Sequence, residues 1–329
     1  MSRKPFSVRA SIPRVLAYGV GVAVLSLGFA SPASAGCTTS STALTLAPST
    51  SYDVRGGTVP SVAGSAGLSC TGTALSVLGG SYARATITSA NDFRLVAPTG
   101  DAITYAVSAD SGATQTFTQG GTVDYMNVTL VSLLGFGSAT SYTAPLHARL
   151  TSAPNLPAGT YKDRLTVVWD YSICNGVQVA GVCVLYERGR VTTTVDVTLV
   201  VGSDCRIAAP DLSFGSAPLV SQFQPVTRSV LVDCTRGTTY KVAFSAGRNA
   251  SARPWRTMSD GAGHALQYNL YRPDGATIWD ESNPLAAAVA GTGGVTPSQV
   301  QSYVARINPA QATPAAGSYT DQVQVVISF

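Results

Sequence analysis

Histidine, lysine and helical periodicity are all scarce in this chain of 329 residues. Charged residues make up 12% of it, about half the share of an ordinary globular protein. Lys162 and Lys241 are the only lysines beyond residue 35. The two histidines, His147 and His264, stand far apart in unlike contexts, so the many serines have no evident base. No Gly-x-Ser-x-Gly elbow occurs, and no pair of carboxylates stands out as an acid/base couple. Gly291-Thr-Gly-Gly294 has no helical pattern after it, which argues against a phosphate cradle. Asp260, Asp274 and Asp280 lie near glycines but lack the spacing of a calcium loop. The expectation is a protein that is not an enzyme and carries no cofactor or metal.

What is present begins with an export address. Arg3, Lys4, Arg9 and Arg14 form a positive segment, an apolar run extends from Val15 to Ala30, and Ser31-Pro-Ala-Ser-Ala35 reads as a cleavage site. Sixteen residues are short for a membrane span, which needs about 20. Residues 1–35 are therefore read as a signal peptide. Its four basic residues account for the whole formal net charge of +4, leaving 17 charges of each sign. Nothing then argues for nucleic acid or an anionic membrane as partner.

All six cysteines, Cys37, Cys70, Cys174, Cys183, Cys205 and Cys234, lie beyond that segment. An even number in an exported chain suggests three disulfides. Spacing favours Cys37–Cys70, Cys174–Cys183 and Cys205–Cys234, since the first and last open two halves with separations of 33 and 29 residues. Zinc is the rival reading, and the absence of a Cys-x-x-Cys motif weighs against it.

The halves also repeat in sequence. Phe93-Arg-Leu-Val followed by Ala-Ile-Thr-Tyr-Ala-Val107 matches Trp255-Arg-Thr-Met followed by Ala-Leu-Gln-Tyr-Asn-Leu270. Gly159-Thr-Tyr-Lys-Asp163 matches Gly317-Ser-Tyr-Thr-Asp321. The expected domains are 36–201 and 203–329, joined by a very short linker. Short alternating runs such as Ala83–Thr88, Ile103–Val107, Leu165–Trp169, Val191–Val201, Val226–Asp233 and Tyr240–Ser245 read as strands. Gln299–Ile307 alone resembles a helix, and it fits a strand as well. The fold class expected is all-β, two immunoglobulin-like β-sandwich domains.

The two Gly-x-Tyr-x-Asp turns continue differently. After the first come a strand, the Cys174–Cys183 hairpin and a further strand, Arg190–Val201; after the second comes one strand, with Val323, Val325, Ile327 and Phe329 on one face, and the sequence ends. The second domain is accordingly expected to be incomplete, lacking its last strand. A sandwich open in that way exposes core and unpaired backbone groups, and it accepts a strand from another chain. Val323, Val325, Ile327 and Phe329 are the candidate residues for that contact.

These residues carry a resemblance to the spore coat protein U domain family, which builds archaic chaperone–usher pili of the Csu type. Cys205-Arg-Ile-Ala-Ala, Leu212-Ser-Phe-Gly215, Val232-Asp-Cys-Thr235, Tyr240–Gly247, Arg256-Thr-Met258, Leu266–Tyr271 and Gly317–Asp321 carry it in the second half. The first half matches through its cysteines, Tyr105 and Gly159–Asp163. The resemblance implies a periplasmic chaperone, an outer-membrane usher and a neighbouring pilin subunit that donates a strand. Cys37 follows the expected cleavage site by one residue, leaving no extension to donate, so the expected subunit is the two-domain tip adhesin, exported through the periplasm to the cell surface. For such a subunit the resemblance implies attachment to an abiotic or host surface, and biofilm formation, through apolar loops of the first domain. The candidates are Leu133, Leu134 and Phe136, then Val177, Val179 and Val182 in the cysteine-bracketed hairpin, and more weakly Leu75–Tyr82. A strand core is the competing reading of the first set, a structural staple that of the second. A lectin-like tip using Trp255, Trp279 or tyrosines, and a structural surface-coat protein, are the alternative functions.

Overall fold

A computed structural model describes residues 36–71, 80–127, 141–174, 178–179, 182–183, 186–249, 254–294 and 298–329. The expected signal segment, 1–35, lies outside them. The regular secondary structure of the described residues is almost entirely strand, arranged around two separate hydrophobic cores.

The first core lies between two sheets. One runs in the order Gly36–Thr39, Val62–Thr71, Ser141–Leu150, Ala102–Ser108, all antiparallel. The other contains Gly121–Asp124, Tyr82–Ser89, Gly159–Cys174 and Tyr186–Gly202, again antiparallel, and Thr42–Thr45 then pairs parallel with Tyr186–Gly202. Arg94–Val96 turns the corner by pairing with Ala102–Ser108 and touching the second sheet at Lys162. Alternation fixes the faces: along Gly159–Cys174 every second residue from Tyr161 to Trp169 is buried. Trp169 is fully buried, and its indole N–H donates to the Ala66 carbonyl at 3.1 Å.

The second core repeats the plan with fewer strands. Cys205–Ala208, Val226–Cys234, Gln299–Ile307, Ala265–Tyr271 and Arg256–Ser259 form one sheet. Leu285–Ala286, Lys241–Phe244 and Val325–Ser328 form the other. Gln299–Ile307, ambiguous in sequence, is a central strand hydrogen-bonded on both sides. The disulfides pair Cys37 with Cys70, Cys174 with Cys183 and Cys205 with Cys234. The first and third occupy the same place, joining directly opposed residues of the leading strand and its antiparallel partner in each half.

Both halves also share a tyrosine–aspartate brace that accounts for the repeated motifs. The Tyr105 hydroxyl donates to Asp163 at 2.6 Å, and the Tyr268 hydroxyl donates to Asp321 at 2.7 Å. Tyr161 and Tyr319, two residues before each aspartate, each donate to the backbone carbonyl four residues upstream, Pro157 and Ala315. Gly247, in the left-handed region with φ +89°, passes so close to Asp321 that a Cβ there would lie 2.2 Å from its carboxylate. Burial, and then the hydrogen bond to aspartate, push both phenols far above their ordinary value.

One match in sequence conceals a difference in place. Arg94 is exposed, whereas its counterpart Arg256 is buried. Arg256 donates to the carbonyls of Ser245, Phe244 and Trp279 and to Asn269 Oδ1, tying both sheets of the second core together.

The join between the cores is polar. A short helix, Ser51–Gly56, is capped by the reciprocal Thr50–Asp53 box and ends on left-handed Gly57. It presents Tyr52, whose hydroxyl donates to the Asp233 carbonyl at 2.8 Å and carboxylate at 3.0 Å. Asp233 also accepts from the Thr292 amide and hydroxyl, and Asn155 donates to the Thr292 carbonyl. Arg55 reaches the Gly293 carbonyl, Arg236 pairs with Asp101, and Arg206 lies over the Tyr52 ring at 4.2 Å.

Candidate functional site

In the first core, the strand after the Gly-x-Tyr-x-Asp turn is flanked on both sides. Gly159–Cys174 has Tyr82–Ser89 along one edge and Tyr186–Gly202 along the other. Tyr186–Gly202 in turn separates it from Thr42–Thr45. In the second core, Val325–Ser328 pairs with Lys241–Phe244 along one edge only. Among the described residues no strand lies along its other edge. The segment 209–214, which follows Cys205 as Thr42–Thr45 follows Cys37, stands across a gap from it.

That gap is a cleft of ≈ 540 Å³, lined by the core side chains Leu212, Phe214, Val230, Phe244, Met258, Leu270, Tyr303, Val323 and Val325 together with the polar Asp211, Thr320, Asp321 and Gln322. Burial records the missing cover position by position. Tyr161, Leu165, Val167 and Trp169 are fully buried, while Tyr319, Val323, Val325 and Ile327 are only half-buried. Leu44 and Leu46 are buried, while Leu212 and Phe214 are half-buried. Val323, Val325 and Ile327 pack against the core as sequence alternation placed them; Phe329 lies past the strand end and is 67% exposed. The strand itself is shorter than the alternating run, because Val323 and Gln324 have no ladder partner: the Gln324 amide turns to Ser245 Oγ. Exposed core next to an unpaired strand edge is a site for another strand.

At the opposite end of the first core lie the flanks of the three apolar loop candidates. Thr71 pairs with Gly36 and Ser141, Ser172 pairs with Tyr82, the Cys174 amide donates to Ser81, and Cys174 faces Tyr186. All these positions lie at the far end of Tyr186–Gly202 from Gly202, where the second half begins. Seventeen residues of strand separate the two ends by up to about 50 Å. Leu133, Leu134 and Phe136 lie outside the described residues, as do Leu75 to Gly79 and Val177. Gln178–Val179 pairs with Val182–Cys183 as a stapled hairpin. Nothing in sequence periodicity signalled the Tyr52–Asp233 join; the Thr50-x-x-Asp53 box before Gly57 was the available cue.

Residues weighed for other chemistry have ordinary places. His147 is a strand residue opposite Ala63 and Ser108, and His264 closes a turn on Asp260 at 2.6 Å. The hydrogen bond from His264 holds the Asp260 carboxyl below its usual range. Trp279 is buried, donating to the Val242 carbonyl at 2.6 Å, so its face is closed to a sugar ring; Trp255 is half-buried. Among the described residues there is no group of three His, Cys, Asp or Glu side chains able to hold a metal, and no helix long and apolar enough to cross a membrane.

The Spore Coat Protein U domain model matches residues 24–168 and 191–326, both halves of the chain. The chain belongs to the Spore Coat Protein U domain family. This is a family of structural, non-enzymatic proteins. No curated protein matches the chain. Among solved structures, one similar to it is a chain of the CsuC–CsuE chaperone–tip adhesion subunit pre-assembly complex, from archaic chaperone–usher Csu pili of Acinetobacter baumannii. The two share 22% identity over 89% of this chain and 100% of that one, with a TM-score of 0.62, a likeness of fold. The CupB6 tip adhesin of Pseudomonas aeruginosa aligns over 89% of this chain and 94% of its own, at 12% identity and a TM-score of only 0.30.

Proposed function

We propose that this spore coat protein U domain protein is the tip adhesin subunit of a chaperone–usher pilus. The observation that carries the reading is the cleft beside Val325–Ser328, a strand-shaped gap where the first half holds its own Tyr186–Gly202. A periplasmic chaperone fills the gap first, and a neighbouring pilin subunit's strand replaces it at the outer-membrane usher. The fold shared with a chain of a chaperone–tip adhesion subunit complex supports the assignment. The first half attaches the cell to a surface through its apolar candidates, Val131–Phe136 and the Cys174–Cys183 hairpin, and so starts a biofilm. A rigid apolar loop loses little entropy on contact and gains about 25 cal/mol per Å² buried.

Two experiments test this. Co-expression of the full chain with the pilus chaperone should yield a soluble one-to-one complex, and the chain expressed without it should be recovered in lower yield and be cleaved faster by protease within its second half; equal yield and equal protease resistance in both cases refute the strand-acceptor role. Replacing Leu133, Leu134 and Phe136 with Thr should abolish adhesion to plastic while pili remain on the cells. Unchanged adhesion with normal piliation removes that loop from the account.

A further inference from the structure

One strand of the first half joins the two places at which a tip subunit is pulled. Tyr186–Gly202 begins three residues after Cys183 of the stapled hairpin and ends beside Ser203, where the second half starts. It is already extended, at about 3.3 Å per residue, so a pull along its axis finds almost no slack. All of Gly159–Cys174 pairs with it along one edge, and Thr42–Thr45 and Ser49–Thr50 pair along the other. The antiparallel bonds lie across the strand, so axial tension loads them together in shear rather than one at a time.

Both ends of this strand are anchored. Beyond Gly202, the Asp204 carbonyl accepts from the Thr235 amide at 2.8 Å, and the Asp204 amide donates to the Thr235 hydroxyl at 3.0 Å. Cys205 follows, bonded to Cys234 across the leading ladder of the second half. A pull arriving through Gly202 therefore reaches two strands of the second half at once. At the other end the Cys174–Cys183 disulfide limits how far the hairpin can open.

The other loops at that end have no such path. Residues 72–79 join Val62–Thr71 to Tyr82–Ser89, and 128–140 lie between Gly121–Asp124 and Ser141–Leu150. None of those four strands continues into the second half. A pull on 128–140 follows Ser141–Leu150, returns along Gly159–Cys174 and only then enters Tyr186–Gly202, or else it crosses the ladders and the core.

We infer that Tyr186–Gly202 is the tension member of the first half, and that the Cys174–Cys183 hairpin is the point at which the fold is built to be pulled. This rests on the tip-adhesin reading and chooses between its two sets of apolar loops. Pull on the hairpin passes into the second half along one covalent backbone, and the sandwich around that strand stays folded. Pull on 128–140 is borne by the sandwich itself, whose forced unfolding follows its unfolding rate.

Single-molecule pulling on the full-length chain, with disulfides intact and handles on p-azidophenylalanine, tests the path. One pair of handles replaces Gln178 and Ser203; the other replaces Asn127 and Ser203, both exposed. The Asn127–Ser203 pair should show a rupture that frees 127–174 and 183–203, lengthening the tether by on the order of 150 Å. At that rupture force the Gln178–Ser203 pair should lengthen by no more than about 20 Å, the reach of the stapled hairpin. Val195→Ala, which removes buried core, should lower the rupture force of the first pair and leave the second unchanged. Ruptures of similar length in both pairs overturn the tension path. Adhesion is scored separately. Cells carrying Val179→Thr with Val182→Thr should detach from plastic at lower shear while pili remain. Unchanged adhesion overturns the hairpin as the point of attachment; if the Leu133, Leu134 and Phe136 variant also adheres normally, the apolar-loop reading falls with it.

Discussion

Leu165 and Val323 occupy one place in two copies of a motif, two residues after the aspartate of a Gly-x-Tyr-x-Asp turn. Leu165 is fully buried and Val323 is half-buried. The sequence around them is alike, and the braces that hold them are alike, down to the tyrosine hydroxyl on each aspartate. What differs is a neighbour: Val195 lies opposite Leu165, and among the described residues nothing lies opposite Val323. Burial in a sandwich is thus a property of the strand beside a residue as much as of the residue itself. The second half compensates within its own core, where Arg256 takes the place of an exposed arginine and binds three carbonyls and an amide oxygen.

The largest predicted effect breaks the comparison at its filled side. Val195→Asp or Val197→Asp puts a charge in a dry core and should destabilise the first half by more than about 4 kcal/mol in denaturant unfolding. Val323→Asp, at a half-open position, should shift the midpoint of the free chain far less but should prevent complementation. Next, Arg256→Ala leaves four acceptors without their donor and should cost about 3 kcal/mol in the second half, whereas Arg94→Ala should change stability by less than about 0.5 kcal/mol. Tyr268→Phe should cost about 1–2 kcal/mol by leaving Asp321 Oδ2 without its donor, and Tyr105→Phe should cost less, because Ser89 also donates to the same Asp163 oxygen. Both phenols are raised in the folded chain, so the unfolded chain loses its proton first, near pH 10. Their contribution is complete below that pH and fades as pH rises above it; the two Phe variants should show flatter alkaline unfolding profiles. A small effect belongs to the join, where Arg236→Ala removes a partly exposed ion pair with Asp101 and should cost less than about 1 kcal/mol.

Much of this was legible in the sequence because its signals are local and periodic. Alternation located Ala83–Thr88, Val191–Val201 and Val226–Asp233, each somewhat shorter than the strand that forms. Cysteine spacing gave the three pairs, and the Gly-x-Tyr-x-Asp repeat pointed to the strand beside the cleft. Features that depend on long-range partners were not legible. The helix Ser51–Gly56 is too short for a 3.6-residue pattern to emerge, yet it supplies Tyr52 to the join. Arg256 is buried because four acceptors converge on it, from Phe244, Ser245, Asn269 and Trp279, none of them beside it in sequence. Phe329 continues the alternation of Val323, Val325 and Ile327, but the ladder stops at Ser328 and leaves it exposed.

Hydrogen exchange on the full-length chain, resolved to 159–174 and to 320–328, tests the central claim most directly. The account predicts that amides of 159–174 are protected to the level of global unfolding of the first half. Those of 320–328 should exchange through much smaller local openings until a strand is supplied. Equal protection of the two segments in the free chain would contradict it, because the second cleft would then already be closed.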